Sequence, residues 1–199
     1  MGRKPIVLGR YLLTFYLCLM RKWLSILFLF LSPLSNAQGN PDYSSLYSEI
    51  NTIIEKDTTY IASYFASYGI DLSRIKNSEL YHESFKWLTT PHKMGGSSKF
   101  GIDCSGFAKQ LYEKAYGIKM LGGSRDIYPK TIPVTPSELL EGDLLFFKVK
   151  SSVITHVGVF LQNRMFIHTS SSQGVMVSSL DDAYWSKYFF SAGRWPKDH

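Results

Sequence analysis

Hydrophobic residues along the chain change their spacing several times, and each change predicts a different kind of element. Near the start they are unbroken: Tyr11–Met20 and Trp23–Leu31 are apolar runs parted only by Arg21 and Lys22. From Ser44 to Tyr68 the spacing turns helical, with Leu46, Ile50, Ile53, Ile54, Ile61, Tyr64, Phe65 and Tyr68 on one stripe and Gly69 as a stop. This predicts one long amphipathic helix, or two short ones broken near Asp57, packed by its stripe against the following domain. Residues 90–101, TPHKMGGSSKFG, read as a loop. They feed a helix opening at Cys104, in which Phe107, Leu111 and Ala115 share a face and Lys109, Glu113 and Lys114 turn to water, and Gly117 ends it. A loop with Gly122, Gly123, Pro129, Pro133 and Pro136 follows. Thereafter the period is two, and DLLFFKV, HVGVFLQ, RMFIHTS, GVMVSSL and YFFSAGRW read as short strands joined by tight turns. With no helices between them to make parallel crossovers, these strands predict an antiparallel sheet and an α+β fold.

The first apolar runs do not suit a single membrane span, which would bury Arg21 and Lys22 near its centre at about 2.5–3.5 kcal/mol each. Taken from Met20 as a candidate initiator, the segment has a basic start, an apolar stretch of signal length and the small residues Ser35 and Ala37 around Asn36. We therefore expect residues 1–37 to be an export signal cut after Ala37. An uncleaved anchor is the alternative, although the second run alone is too short to span. No cysteine follows the expected cut, so the site is not that of a lipoprotein, and Cys18 leaves with the signal. The signal also carries five cations (Arg3, Lys4, Arg10, Arg21, Lys22) and no acids; removing it from a chain with 22 basic and 16 acidic residues leaves 17 against 16. The high isoelectric point is therefore no sign of nucleic-acid binding. The 162 residues that remain suit one compact domain. The expected organisation is a helical extension over 38–80 and a main domain over 81–199, monomeric, exported to the periplasm or cell envelope, touching the membrane only transiently through its signal.

Export changes the meaning of Cys104, the one cysteine beyond the signal. It has no intramolecular partner, so it is an intermolecular half-cystine or a reactive group. Asp103 before it and Ser105 and Gly106 after it put the thiol in the first turn of a helix, where free N–H groups and the dipole favour an anion. That placement is expected to lower the thiol pKa. Gly106 allows another segment or a substrate to approach closely. A buried inert thiol is the alternative, which the small polar neighbours disfavour. One thiolate and scattered histidines do not make a metal site, and no cofactor is expected. A thiolate nucleophile needs a base. His156 opens one strand and His168 closes the next, so the turn between them decides whether they share a face. A three-residue loop, Leu161 to Asn163 with Asn163 at positive φ, pairs Phe160 with Arg164 and sets His156 directly opposite His168. Opposed neutral histidines can hydrogen-bond and fix a tautomer.

GIDCSGF, EGDLLFF, THVGVF and FIHTSSSQGVMVSSLDDAYWSKYF, spread over about residues 85–196, resemble the successive blocks of the NlpC/p60 family of papain-like cysteine peptidases, which cut peptides in bacterial peptidoglycan. The resemblance implies a small papain-like α+β core, with the cysteine helix packed on an antiparallel sheet that carries both histidines. It implies Cys104 as nucleophile, His156 as general base and His168 as the residue orienting His156, acting on stem peptides or crosslinks. His92 stands where many members carry a tyrosine directed into the site, and is a candidate oxyanion or subsite donor. Asp103 and Ser105 are candidates for holding the polar ends of the stem peptide, although Asp103 also has the position of a helix cap. Arg125 is a candidate contact for substrate carboxylates. An amidase or acyltransferase of the wider papain-like superfamily, and an inactive wall-binding module, are the competing readings. The cysteine-first order and the intact Cys104, His156 and His168 disfavour both.

Overall fold

The computed structural model describes residues 57–196. The expected export signal, the candidate start at Met20 and the stretch 44–56 lie outside the described residues. Helix α1, described over 57–66, turns Ile61 and Phe65 into the core with Tyr64 and Tyr68 packed beside them. The chain leaves it through Gly69 at φ 73°, where the stripe predicts the stop. Helix α2 (Ser78–Trp87) starts where the Asn77 carboxamide accepts from the N–H groups of Glu79 and Leu80, satisfying two donors that a helix start leaves open. It crosses position 80, and both Leu80 and Tyr81 are buried.

The loop 90–101 contains a short hairpin of β1 (Ser97–Ser98) and β2 (Gly101–Ile102). Helix α3 (Cys104–Tyr116) begins and ends where the sequence predicts, with Gly117 left-handed at φ 70°. The proline-rich segment is more ordered than its composition suggests: it holds a short α4 (Ser124–Ile127), a single 3-10 turn and strand β3 (Ile132–Val134). Then come β4 (Leu144–Phe147), β5 (His156–Phe160), β6 (Met165–Ser170), β7 (Gly174–Ser179), a short helix α5 (Ala183–Tyr188) and β8 (Phe189–Arg194).

Six strands form one sheet in the order β3-β8-β4-β5-β6-β7, antiparallel throughout. Pro133 pairs with Gly193 in the outermost strand, where a residue without an N–H is tolerated. At the opposite rim the Val175 N–H and carbonyl bond to the Thr90 carbonyl and the Thr89 N–H.

Alternation along the strands builds two cores. Leu144, Phe146, Val157, Val159, Ile167, Val175 and Val177 face helices α1 to α3, and Phe107, Ala108 and Leu111 of α3 pack on them. Burying Phe107 and Leu111 is worth about 1.5–3 kcal/mol each. Leu145, Phe147, Phe160, Phe166 and Ala192 face the other way, under Trp185 and Tyr188 of α5.

Behind β4, the Asp143 carboxylate is 2% exposed and accepts two bonds from Arg194, Nε to Oδ1 and Nη2 to Oδ2, each 2.8 Å. It also accepts the Leu140 N–H at 2.7 Å, so it closes the turn into β4 and clamps β8 to it. Arg194→Leu is expected to destabilise the protein by about 2 kcal/mol in urea unfolding at pH 7. That is less than the roughly 3–5 kcal/mol typical when a fully buried pair is broken, because Arg194 is itself 37% exposed. A change below about 0.5 kcal/mol would show that the clamp carries no weight.

Candidate active site

Asp103 organises the start of α3. Its Oδ1 accepts the Gly106 N–H at 2.6 Å and the Ser105 hydroxyl at 2.8 Å, and its Oδ2 accepts the Gly95 N–H at 2.9 Å. One carboxylate thus caps the helix and ties down the 93–96 turn above it. Burial works against its charge, but the donors of Gly106, Ser105 and Gly95 outweigh that and hold its carboxyl below the usual range. The turn also needs Gly106, since a Cβ there would sit 2.7 Å from the Gly96 carbonyl oxygen. The close approach expected at Gly106 is therefore made by the protein's own loop. Both Asp103 and Ser105 spend their side chains within this cap.

Cys104 is a free, half-buried thiol in the first turn of α3. Burial pushes it up from the ordinary thiol value, and the neighbouring Asp103 charge adds to that. The N–H groups of Val157, Ser105 and Cys104 itself pull the other way without prevailing. The lowered pKa expected from the helix start is thus corrected: desolvation outweighs the helix end. The Val157 contact also locates the sulfur, beside the backbone of the residue that follows His156.

The β5–β6 hairpin differs from the expected register. Val159 pairs with Ile167 and Phe160 with Phe166, while the Leu161 N–H bonds the Met165 carbonyl and the Met165 N–H the Gln162 carbonyl. The three-residue loop is therefore Gln162–Arg164, one residue later than predicted, with Asn163 at φ 51° and Arg164 at φ 62°. Tertiary ties hold it there: the Asn163 carboxamide donates to the Gly69 carbonyl, Arg164 Nε donates to Asp181 Oδ1 at 2.6 Å, and the Leu180 N–H donates to the Arg164 carbonyl at 2.8 Å. The register moves by two, so parity is kept: His156 and His168 share a face as diagonal neighbours instead of a directly opposed pair.

Their rings meet. His156 Nε2 lies 3.1 Å from His168 Nδ1, and His168 Nε2 lies 3.0 Å from Ser178 Oγ. Trp185 covers both, stacked on His156 at 5.2 Å and edge-on to His168 at 4.5 Å. Gly158 keeps the floor open, since a Cβ there would stand 2.6 Å from a Phe166 ring carbon. The histidine face is the one under α5, not the one against α3. Cys104 meets β5 at the Val157 backbone, next to His156, and among the described residues it makes no hydrogen bond to either imidazole. Burial, then repulsion from His92, brings His156 down to about 4. Burial, then His156, drives His168 well below the usual imidazole value. Both rings are therefore neutral at neutral pH.

His92 forms a lone backbone bridge with Ile102 and is near enough to act on His156. Arg125 Nε donates to the Ile154 carbonyl at 3.0 Å, two residues before His156, and its side chain is otherwise exposed. The structure thus gathers Cys104, His156, His168 and His92 and leaves Arg125 bracing the rim. Ser178 and Trp185 go unnoticed in the sequence reading. The strand parity of GVMVSS could have flagged Ser178, because it shares a face with His168; nothing local marks Trp185, which depends on how α5 folds back.

The chain is similar to known proteins over most of the described domain. The NlpC/P60 family model matches residues 89–194. A Haemophilus influenzae protein named probable endopeptidase NlpC homolog is 36% identical over 117 residues, covering 59% of this chain and 60% of the relative. An Escherichia coli protein named murein DD-endopeptidase MepS/murein LD-carboxypeptidase is 28% identical over 161 residues, covering 81% of this chain and 85% of its own. A crystal structure of an NlpC/P60 family protein from Bacillus cereus superposes with a TM-score of 0.54 at 27% identity, covering 59% of this chain and 39% of the other. The α+β fold, helices packed on an antiparallel sheet, is that of NlpC/P60 domains, and the chain belongs to the NlpC/P60 family of cysteine peptidases.

Proposed function

We propose that the protein is an exported thiol endopeptidase that hydrolyses amide bonds in peptidoglycan stem peptides or crosslinks. The observation that carries this reading is the 3.1 Å contact between His156 Nε2 and His168 Nδ1, which leaves His156 Nδ1 as the nitrogen free to serve the thiol at the head of α3. The names of the relatives supply the substrate class. In this scheme residues 1–37 are the export signal, 38–80 the helical extension and 81–199 the peptidase domain, working in the cell envelope.

Cys104 is the nucleophile, His156 the base and His168 the residue that orients it. Because thiol and imidazole are both neutral at rest, the Cys104 proton passes to His156 Nδ1 as sulfur bonds to the substrate carbonyl carbon. The Cys104 N–H at the helix start and His92 are the candidate donors to the oxyanion. Collapse expels the amine, which takes the proton from His156. His156 then deprotonates water as it attacks the thioester, and the Cys104 thiolate that leaves takes that proton back from His156, restoring both neutral groups. Asp103 and Ser105 act on this chemistry by fixing the Cys104 turn, and Arg125 presents the charge suited to a stem-peptide carboxylate.

The test is to incubate the protein, untreated or alkylated at its thiol, with purified peptidoglycan and to identify the released fragments by mass spectrometry. Thiol-dependent peptide cleavage is expected. No thiol-dependent cut in any stem peptide or crosslink would overturn the reading.

A further inference from the structure

His168 is fully buried, stacked on Phe166 at 5.0 Å and capped by Trp185 at 4.5 Å. Each of its nitrogens has a single side-chain neighbour, His156 on Nδ1 and Ser178 on Nε2. Ser178 lies on β7 and is 6% exposed. A neutral imidazole donates from one nitrogen and accepts at the other, whereas a hydroxyl can do either. The row Ser178–His168–His156 therefore has two self-consistent proton arrangements. In the first, His168 Nε2–H donates to Ser178 Oγ, His168 Nδ1 accepts from His156 Nε2–H, and His156 Nδ1 carries a lone pair. In the second, every bond is reversed, His156 Nδ1 carries a hydrogen, and it has nothing with which to accept one.

We propose that Ser178 is a positioning residue that selects the first arrangement: by accepting from His168 Nε2–H it sets the tautomer of His168, and through it that of His156. This rests on the reading of His156 as base. Only the first arrangement leaves His168 Nδ1 as an acceptor when the Cys104 proton reaches His156 Nδ1, so the imidazolium formed there keeps its partner. One proton moves, from sulfur to Nδ1, and the rest of the row stays in place. Remove the hydroxyl, and an N–H on His168 Nε2 loses the one side-chain acceptor it has there. The buried ring then avoids the unmet donor by carrying its hydrogen on Nδ1, which turns the bond to His156 around.

The experiment is long-range proton–nitrogen NMR of the imidazoles in the whole protein, wild type and Ser178→Ala, combined with peptidoglycan kinetics. In wild type both rings are expected as Nε2–H with bare Nδ1, and in Ser178→Ala His168 is expected to move to Nδ1–H. Putting a triad histidine in the wrong tautomer costs about 10⁴ in serine peptidases. A residue one bond further out, which biases the tautomer without holding the base directly, is expected to cost about ten- to a hundredfold in kcat with KM within about twofold. Ser178→Thr should recover most of this loss and the isosteric Ser178→Val none of it, which separates the hydroxyl from packing. A wild-type His168 carrying its hydrogen on Nδ1 would overturn the proposal even if the alanine variant failed to fold. So would unchanged tautomers and kcat in a folded Ser178→Ala. Failure of wild type to cut peptidoglycan would instead strike the functional reading, since the tautomers are read without substrate.

Discussion

Cys104→Ala is expected to lower peptidoglycan cleavage by about 10⁴-fold or more, while the free energy of unfolding stays within about 1 kcal/mol of wild type. Without the sulfur no acyl-enzyme can form, and the oxyanion donors and binding contacts that remain cannot replace it. The fold should barely notice, because the Asp103 cap does not involve the thiol and Cys104 is only half-buried. Cys104→Ser is expected to be nearly as inactive. A hydroxyl is far less acidic than a thiol, and His156, held to about 4, is too weak a base to compensate. Fragment release and urea unfolding measured on the same preparations check both statements. Cleavage surviving in a folded Cys104→Ala protein would place the nucleophile elsewhere.

Stability is expected to fall by about 3 kcal/mol or more between pH 7 and pH 4, from the histidine pair. The sign follows from proton binding. An unfolded histidine titrates near 6.5, whereas folded His156 resists protonation down to about 4. Between those values the unfolded chain binds a proton that the folded one refuses, so stability is present above about 6.5 and drains away as pH falls towards 4. A shift of about 2.5 units corresponds to about 3.4 kcal/mol, and His168, lowered in the same direction, adds to it. Carboxylates enter only at the acid end of this window, below about pH 5. Asp103, Asp71 and Glu138 are lowered below their ordinary values and begin to give up their share only as pH approaches those ordinary values, so the loss between pH 7 and 5 belongs to the histidines. Urea unfolding from pH 7 to 4 reads the effect directly, and a flat profile down to pH 5 would rule it out.

Much of this arrangement was legible because it depends on local pattern. The five period-two runs became β4 to β8, and Asp103-Cys104 marked a helix start that the structure places there. What the sequence did not yield was set by distant partners. β3 hides in a proline-rich segment because it is an outer strand that borrows its order from β8. Helix α2 begins at an Asn77 cap that looks ordinary in sequence. The hairpin loop sits one residue later, and the register moves by two, because Asn163 and Arg164 answer to Gly69, Leu180 and Asp181, which no turn rule sees. The thiol pKa departs from its expected direction for the same reason, since dipole and N–H groups can be read from Cys104 and its neighbours, whereas burial depends on the whole fold. Nothing along the chain announces Trp185 as the cover of both imidazoles.

The two rims of the sheet have a consequence for behaviour in concentrated solution. A sheet edge with a regular row of free N–H and C=O groups is a template on which a second chain can add a strand. On one side that row is interrupted at Pro133, which has no hydrogen to offer, and the outer strand is only three residues long. On the other, the Thr89–Thr90 backbone already occupies Val175. Among the described residues neither rim of this sheet offers a long uninterrupted ladder, so losses during handling should come from unfolding, most of all in mild acid.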